Sequence, residues 1–329
     1  MSNFYTLEFF LYYIAVFMAS FMTCLFFIKI PIFKLFNDDI NLRSLHKRPV
    51  PRIGGIAVLL SFFIAASFFD RINLHYLQAP LSILFFISLA DDIFNVNFIL
   101  RLITHFISAI IFIFFINVDI LIYQSILLIF IIVSIINSFN FMDGADGMAG
   151  GSGFIIFLFY AFLAYLHNDI NLFYISTTIS ISLLGFLFWN FNNAKIFLGD
   201  SGSITIGFLS SAIGIIGWQN NLWSFATILV MQIPFLLDTG FTLIRRIFKG
   251  EHIWEAHHEH FYQQLIINGW SHKKTSFVYY CAFLFNGSYL IFSEVILQNT
   301  DYHLIPLLLF NIFFGYLVSR KLSLLRKDI

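Results

Sequence analysis

Residues 107–116 read Ile107-Ser108-Ala109-Ile110-Ile111-Phe112-Ile113-Phe114-Phe115-Ile116. The apolar side chains follow one another without alternating. A barrel strand with one wet face would alternate in period two, so this run speaks against a β-barrel. It reads instead as part of a helix crossing a bilayer, which takes about 20 mostly apolar residues. Working outward, comparable runs recur near 7–30, 53–69, 77–90, 98–116, 119–136, 153–166, 172–189, 202–217, 222–243, 275–297 and 303–319. The expected fold is all-α: a polytopic helical bundle of about eleven membrane spans, forming one membrane-embedded domain over 1–329.

Composition agrees. Of 329 residues, 59% are hydrophobic and 11% charged, against roughly 25% charged in soluble domains. Such a chain is a poor soluble enzyme, nucleic-acid binder or disordered segment. Net charge is zero, so nothing in the balance attracts nucleic acid. Cys24 and Cys281 each lie inside an apolar run, which argues against a disulfide framework or a Cys-based zinc site. The first basic residue, Lys29, follows the first apolar run instead of preceding it, so that run reads as a retained helix and not a signal peptide.

The zero net charge hides a polarity. With the N-terminus periplasmic and the C-terminus cytoplasmic, the inner segments are 31–52, 91–97, 137–152, 190–201, 244–274 and 320–329. They and the span ends beside them hold every Lys and Arg except Arg71. The positive-inside rule then assigns that face to the cytoplasm. Asp91, Asp92, Asp143, Asp146, Asp200 and Asp238 gather on the same face.

Five constellations there carry chemistry. Asp91-Asp92 ends the third span; adjacent carboxylates beside lipid need a cation or proton to compensate, unless they merely open a solvated loop. Asn137, Asn140, Asp143 and Asp146 recur every three residues and share a helix face. Gly144, Gly147, Gly150, Gly151 and Gly153 around them would let backbone N–H groups approach a ligand. Asp200 sits between Gly199 and Gly202 before a helix, where it could reach a phosphate through Mg2+ or simply cap the helix. His257-His258-Glu259-His260 lacks zinc-ligand spacing and, with Arg245-Arg246, better suits phosphate recognition. Lys47-Arg48-Pro49-Val50-Pro51-Arg52 is an orientation signal that could also hold an anion near lipid head groups.

Together these motifs resemble the polyprenyl-phosphate N-acetylhexosamine-1-phosphate transferases of glycosyltransferase 4 type, a superfamily that includes the phospho-MurNAc-pentapeptide translocase. Within it, the stretch around His46 and the 255–263 loop look most like O-antigen or capsule initiating enzymes, some of which transfer 6-deoxy-N-acetylhexosamine phosphates. The resemblance implies that a UDP-N-acetyl sugar and undecaprenyl phosphate give undecaprenyl-diphospho-sugar and UMP. It implies Mg2+, or Mn2+ in its place, with Asp200, Asp91 and Asp92 as metal-side acids. It places Asp91, Asp92, Asp143 and Asp200 in catalysis. Lys47, Arg52, Asn140, Gly144, Asp146, Asn190, Phe197, His257, His258 and His260 fall on the substrate side, with Phe197 stacking on uracil. It also implies a homodimer. Because a phosphate monoester is largely dianionic at neutral pH, Asp91 is expected to orient charge more than to take a proton. The competing readings are an ion-coupled transporter, which would keep its acids nearer the membrane midplane, and another membrane prenyl or phosphatidyl transferase.

Overall fold

The computed structural model describes residues 7–30, 36–38, 49–68, 72–116, 121–191, 193–252, 255, 257–296, 307, 309–313 and 315. Their helices are α1 (Leu7–Lys29), α2 (Gly54–Ser67), α3 (Gln78–Phe94), α4 (Phe98–Phe115), α5 (Ile122–Phe141), α6 (Met148–Leu166), α7 (Ile170–Asn190), α8 (Asp200–Gln219), α9 (Phe225–Val230), α10 (Ile233–Phe248), α11 (Phe261–Ile267) and α12 (His272–Ile296). Two two-residue strands, β1 (Asn37–Asp38) and β2 (Val50–Pro51), form an antiparallel ribbon. The molecule is thus an all-α, multi-pass membrane protein. Seven helices, α1, α4, α5, α6, α7, α8 and α12, are long and apolar enough to cross a membrane; α2 is apolar but shorter.

Local signals set the turns. Asn95 takes a left-handed conformation and closes α3. Two residues later the Asn97 side chain accepts the Ile99 N–H at 2.8 Å and opens α4. This tight reversal returns α4 antiparallel to α3, so that Asp91 and the first turn of α4 share one end of the bundle.

Helix α8 is the axis. Every residue from Ser201 to Gly217 is buried, and α2, α3, α5, α6 and α9 pack around it. Close approach depends on small residues, as is usual where lipid offers no hydrophobic drive between helices. A Cβ on Gly55 would collide with the backbone of Gly202. The outer faces show large apolar side chains such as Phe86, Phe114, Ile122 and Phe188, an arrangement suited to hydrocarbon.

The boundaries differ from expectation in three places. Helices α5 and α6 run to Phe141 and from Met148, well inside the segment read as loop 137–152. Gly150, Gly151 and Gly153 are therefore buried helix positions, where they let Phe186, Tyr280 and Ile206 pack closely. The span expected over 222–243 is broken into α9 and α10 at Met231-Gln232. Pro234 lacks an N–H, and the Asn286 amide donates to the freed Val230 carbonyl at 3.0 Å. Broken helices persist at membrane depth only where such partners exist. Most of the expected span 303–319 lies outside the described residues.

Candidate active site

The expected acids meet at one end of the bundle. One guanidinium nitrogen, Arg101 Nη1 on α4, donates to Asp91 Oδ2 on α3 and to Asp200 Oδ2 on α8, the latter at 2.7 Å. Asp91 Oδ1 accepts the Val96 N–H at 2.6 Å. Asp92, expected on the metal side with Asp91, accepts one backbone N–H on each oxygen. The oxygens accept the N–H groups of Asp200 at 2.9 Å and Ser201 at 3.0 Å, so Asp92 caps α8 from another helix. Gly199 has φ +77°, and a Cβ there would strike the Arg52 carbonyl and the Asp92 carboxylate. Only glycine lets this cap close.

Asp143 lies in the turn between α5 and α6. Burial, then the charges of Asp200 and Asp92, push its carboxyl well above the usual range, against the pull of the Gly199 N–H. Asn140, one turn back on α5, donates to Ser203 Oγ on α8 at 3.3 Å. Gly144 is exposed but faces the Tyr262 hydroxyl, with no room for a Cβ.

Asp146 is differently placed. Burial raises its carboxyl, but the hydrogen bond with His272 and the Ala194 N–H prevail, and it sits below the usual range. The Asp146–His272 contact is 3.2 Å and the Ala194 N–H reaches Oδ2 at 3.0 Å. Asn190 accepts the Gly147 N–H and donates to the Ile196 carbonyl, both at 2.8 Å. The Tyr280 hydroxyl donates to the Gly147 carbonyl at 2.5 Å. Asp146 and Asn190, both expected at the nucleotide, thus tie the turn to the 190–196 loop and to α12. Phe197 is half-buried; its backbone pairs with Pro51 and Gly54, bringing Arg52 beside Asp92.

The histidine segment folds onto the same end. Asp238 on α10 accepts the N–H groups of Phe261 at 2.9 Å and Tyr262 at 3.2 Å, and Tyr279 donates to it. His260 Nδ1 lies 3.3 Å from the same carboxylate, and its ring stacks on Phe141 at 5.7 Å. The Tyr262 hydroxyl donates to the Phe141 carbonyl at 3.0 Å. Burial, with His260 and Arg246 near, pulls His257 down to about 4, so it is neutral at pH 7. His258 keeps a buried Nδ1 without a hydrogen-bond partner. Glu259 bridges Arg245, Arg246 and Lys249. Lys47 lies outside the described residues.

Arg101, Tyr262, His272 and Tyr280 were not expected as site residues, and Asp238 was expected on this face without a role of its own. Arg101 left a signal, a lone cation in an apolar span ten residues after Asp91. The tyrosines left none, because they reach carbonyls 121 and 133 residues away.

The metal expectation can be tested on charge and geometry. Four carboxylates (Asp91, Asp92, Asp143, Asp200) stand against the guanidinium groups of Arg52 and Arg101. When all are ionised, two negative charges are left over among the described residues, matching a divalent cation that prefers oxygen ligands. Among the described residues no three His, Cys, Asp or Glu side chains are grouped as ligands of one ion. Arg101 bridges the two best placed, Asp91 and Asp200.

A multi-pass helical membrane protein whose acids, arginines and histidines converge at one end of the bundle is the class that fold and site define. Residues 74–218 match glycosyl transferase family 4, which covers α3 to α8 and most of the acidic cluster. The chain is 31% identical over 140 residues to the probable undecaprenyl-phosphate N-acetylglucosaminyl 1-phosphate transferase of Bacillus subtilis (strain 168), covering 41% of this chain and 39% of that protein. It is 29% identical over 218 residues to the undecaprenyl-phosphate alpha-N-acetylglucosaminyl 1-phosphate transferase of Thermotoga maritima, covering 64% and 66%. It is 31% identical over 115 residues to the phospho-N-acetylmuramoyl-pentapeptide-transferase of Staphylococcus haemolyticus, covering 32% of each. The matched part spans less than two thirds of each relative. The central segment is of the glycosyl transferase 4 type, in agreement with the motif resemblance.

Proposed function

We propose that the protein transfers an N-acetyl-sugar-1-phosphate from a UDP-sugar to undecaprenyl phosphate at the cytoplasmic face of a bacterial inner membrane. The products are undecaprenyl-diphospho-sugar and UMP, and the step initiates an O-antigen or related surface polysaccharide. The observation that carries this reading is the convergence of Asp91, Arg101, Asp143 and Asp200 from four elements at one bundle end, inside the segment that matches the family.

In this reading an oxygen of undecaprenyl phosphate attacks the phosphorus nearer the sugar. The bond from that phosphorus to the UMP oxygen breaks, and UMP leaves with the electron pair. Asp200 with Asp91 and Asp92 would hold Mg2+ or Mn2+, which would supply Lewis-acid stabilisation of the charge growing on UMP. Arg101, which bridges Asp91 and Asp200, would be free to pair with a phosphate, for which its planar fork is suited, if those carboxylates held the ion. Asp92 holds the α8 terminus still, so that Asp200 is placed without rearrangement. His258, with an unpartnered buried nitrogen, would face the substrate in this reading. The acids lie at one end of the bundle, away from the midplane, which disfavours an ion-coupled transporter.

The test is release of UMP from a panel of UDP-N-acetyl sugars by purified protein with undecaprenyl phosphate and Mg2+. UMP formed only when lipid, metal and one donor are all present supports the reading and names the donor. No UMP from any donor rejects it.

A further inference from the structure

The loop that follows α10 is tied at its base by charge. Arg246 stands in the last turn of α10 and is only 5% exposed. Its Nη1 lies 2.8 Å from the Glu251 carboxylate and donates to Glu259 Oε1 at 2.7 Å, and its Nη2 donates to the His252 carbonyl at 2.8 Å. One buried guanidinium thus holds both ends of the 251–259 loop together. Glu259 is gripped at two further points from the same helix end: Arg245 donates to its backbone carbonyl at 2.6 Å, and Lys249 donates to its Oε2 at 3.1 Å. The histidines are its immediate neighbours. The Glu259 N–H donates to His257 Nδ1 at 3.3 Å, and the His258 carbonyl accepts the Gln264 amide at 2.6 Å. His258 Nδ1 is buried with no hydrogen-bond partner among the described residues.

We propose that Glu259 is a positioning residue: with Arg246 it shuts the base of this loop and so holds His257 and His258 at a fixed depth beside the sugar phosphate of the donor. The inference rests on the transfer reaction proposed above. A loop ordered before binding costs the ligand less to engage, and charge-assisted bonds to a guanidinium are among the stronger ones. The other reading makes the Glu259 carboxylate a placeholder in a phosphate site, displaced when the donor arrives. It fits less well. Arg246 also holds Glu251 and the His252 carbonyl, so a phosphate reaching it would have to open the loop. Arg245 grips the main chain of Glu259, and displacing the side chain would not release that bond.

The test is Glu259→Gln, which keeps the shape and removes the charge. It is read as UMP release, and as amide hydrogen exchange of the full chain in detergent without substrate. The KM for the UDP-sugar should rise about tenfold. The kcat and the KM for undecaprenyl phosphate should hold within about twofold, the pattern of lost ground-state binding. Exchange across 257–260 should quicken about tenfold as the loop opens more often. Glu259→Asp, which keeps the charge, should recover most of both losses. An unchanged KM, with or without faster exchange, overturns the proposal. A lower KM makes Glu259 the placeholder, and a fall in kcat alone makes it part of the chemistry; each overturns the proposal too. If wild type releases no UMP from any donor, the transfer reading fails. Exchange in Glu259→Gln then decides the clamp by itself, and unchanged exchange overturns it.

Discussion

Asp143 and Asp146 stand three residues apart in one turn, yet their surroundings push their carboxyls in opposite directions. Asp143 faces other acids: burial and the charges of Asp200 and Asp92 make its ionised form costly. Asp146 faces donors: His272 and the Ala194 N–H make its ionised form favourable. A repeated Asp-Gly pair in the sequence therefore holds two different devices. One stores unfavourable negative charge where a cation would relieve it; the other fastens the turn to α12 and the 190–196 loop.

Three substitutions separate these devices. The largest effect should come from Asp200→Asn, on the charged side. Turnover, read as UMP release, should fall about a thousandfold, as when a preorganised electrostatic group is removed, while the thermal midpoint does not drop. Asp143→Asn comes next, with about a hundredfold loss of turnover and an opposite effect on stability. Asp143 holds its proton more tightly folded than unfolded. It therefore costs stability as pH rises from the ordinary Asp value through its raised one, and the whole cost is present above that. In EDTA at neutral pH the Asn variant should melt higher than wild type, and the gain should vanish in acid. A variant that melts lower would mean that Asp143 is a fastening residue like its neighbour.

Asp146→Asn should act mainly on stability. Loss of the charge-assisted bonds to His272 and Ala194 should cost about 1.5–3 kcal/mol, measured by denaturation in detergent. The contribution of Asp146 is present above the ordinary Asp value and is lost as pH falls through its lowered one. The difference between variant and wild type should therefore close in acid. If turnover falls as far as in Asp200→Asn with stability intact, Asp146 contacts the nucleotide directly and the comparison fails.

Much of this could be read from sequence because bilayers impose a strong pattern. Continuous apolar runs marked the helices, and the asymmetry of Lys and Arg marked one face. Asp91, Asp143 and Asp200 could be singled out because ionised groups beside such runs are costly. The functions of Asp92 and Tyr280 could not be foreseen, because each depends on a backbone group more than a hundred residues away. The break in 222–243 did leave a local signal, Gln232 and Pro234 inside the apolar run, but its support did not, because Asn286 reaches the freed Val230 carbonyl from α12.

The cap that Asp92 places on α8 also bears on how the chain is made. Its partners are the N–H groups of Asp200 and Ser201, 108 and 109 residues downstream. During synthesis α3 enters the membrane long before α8 exists, and until then the carboxylate pair at its end has neither Asp200 nor the α8 amides to complete it. The acidic cluster is therefore a late product of assembly. A chain arrested before α8 lacks Asp200 and the two N–H groups that Asp92 accepts, and keeps only the contacts of Asp91 with Arg101 and Val96.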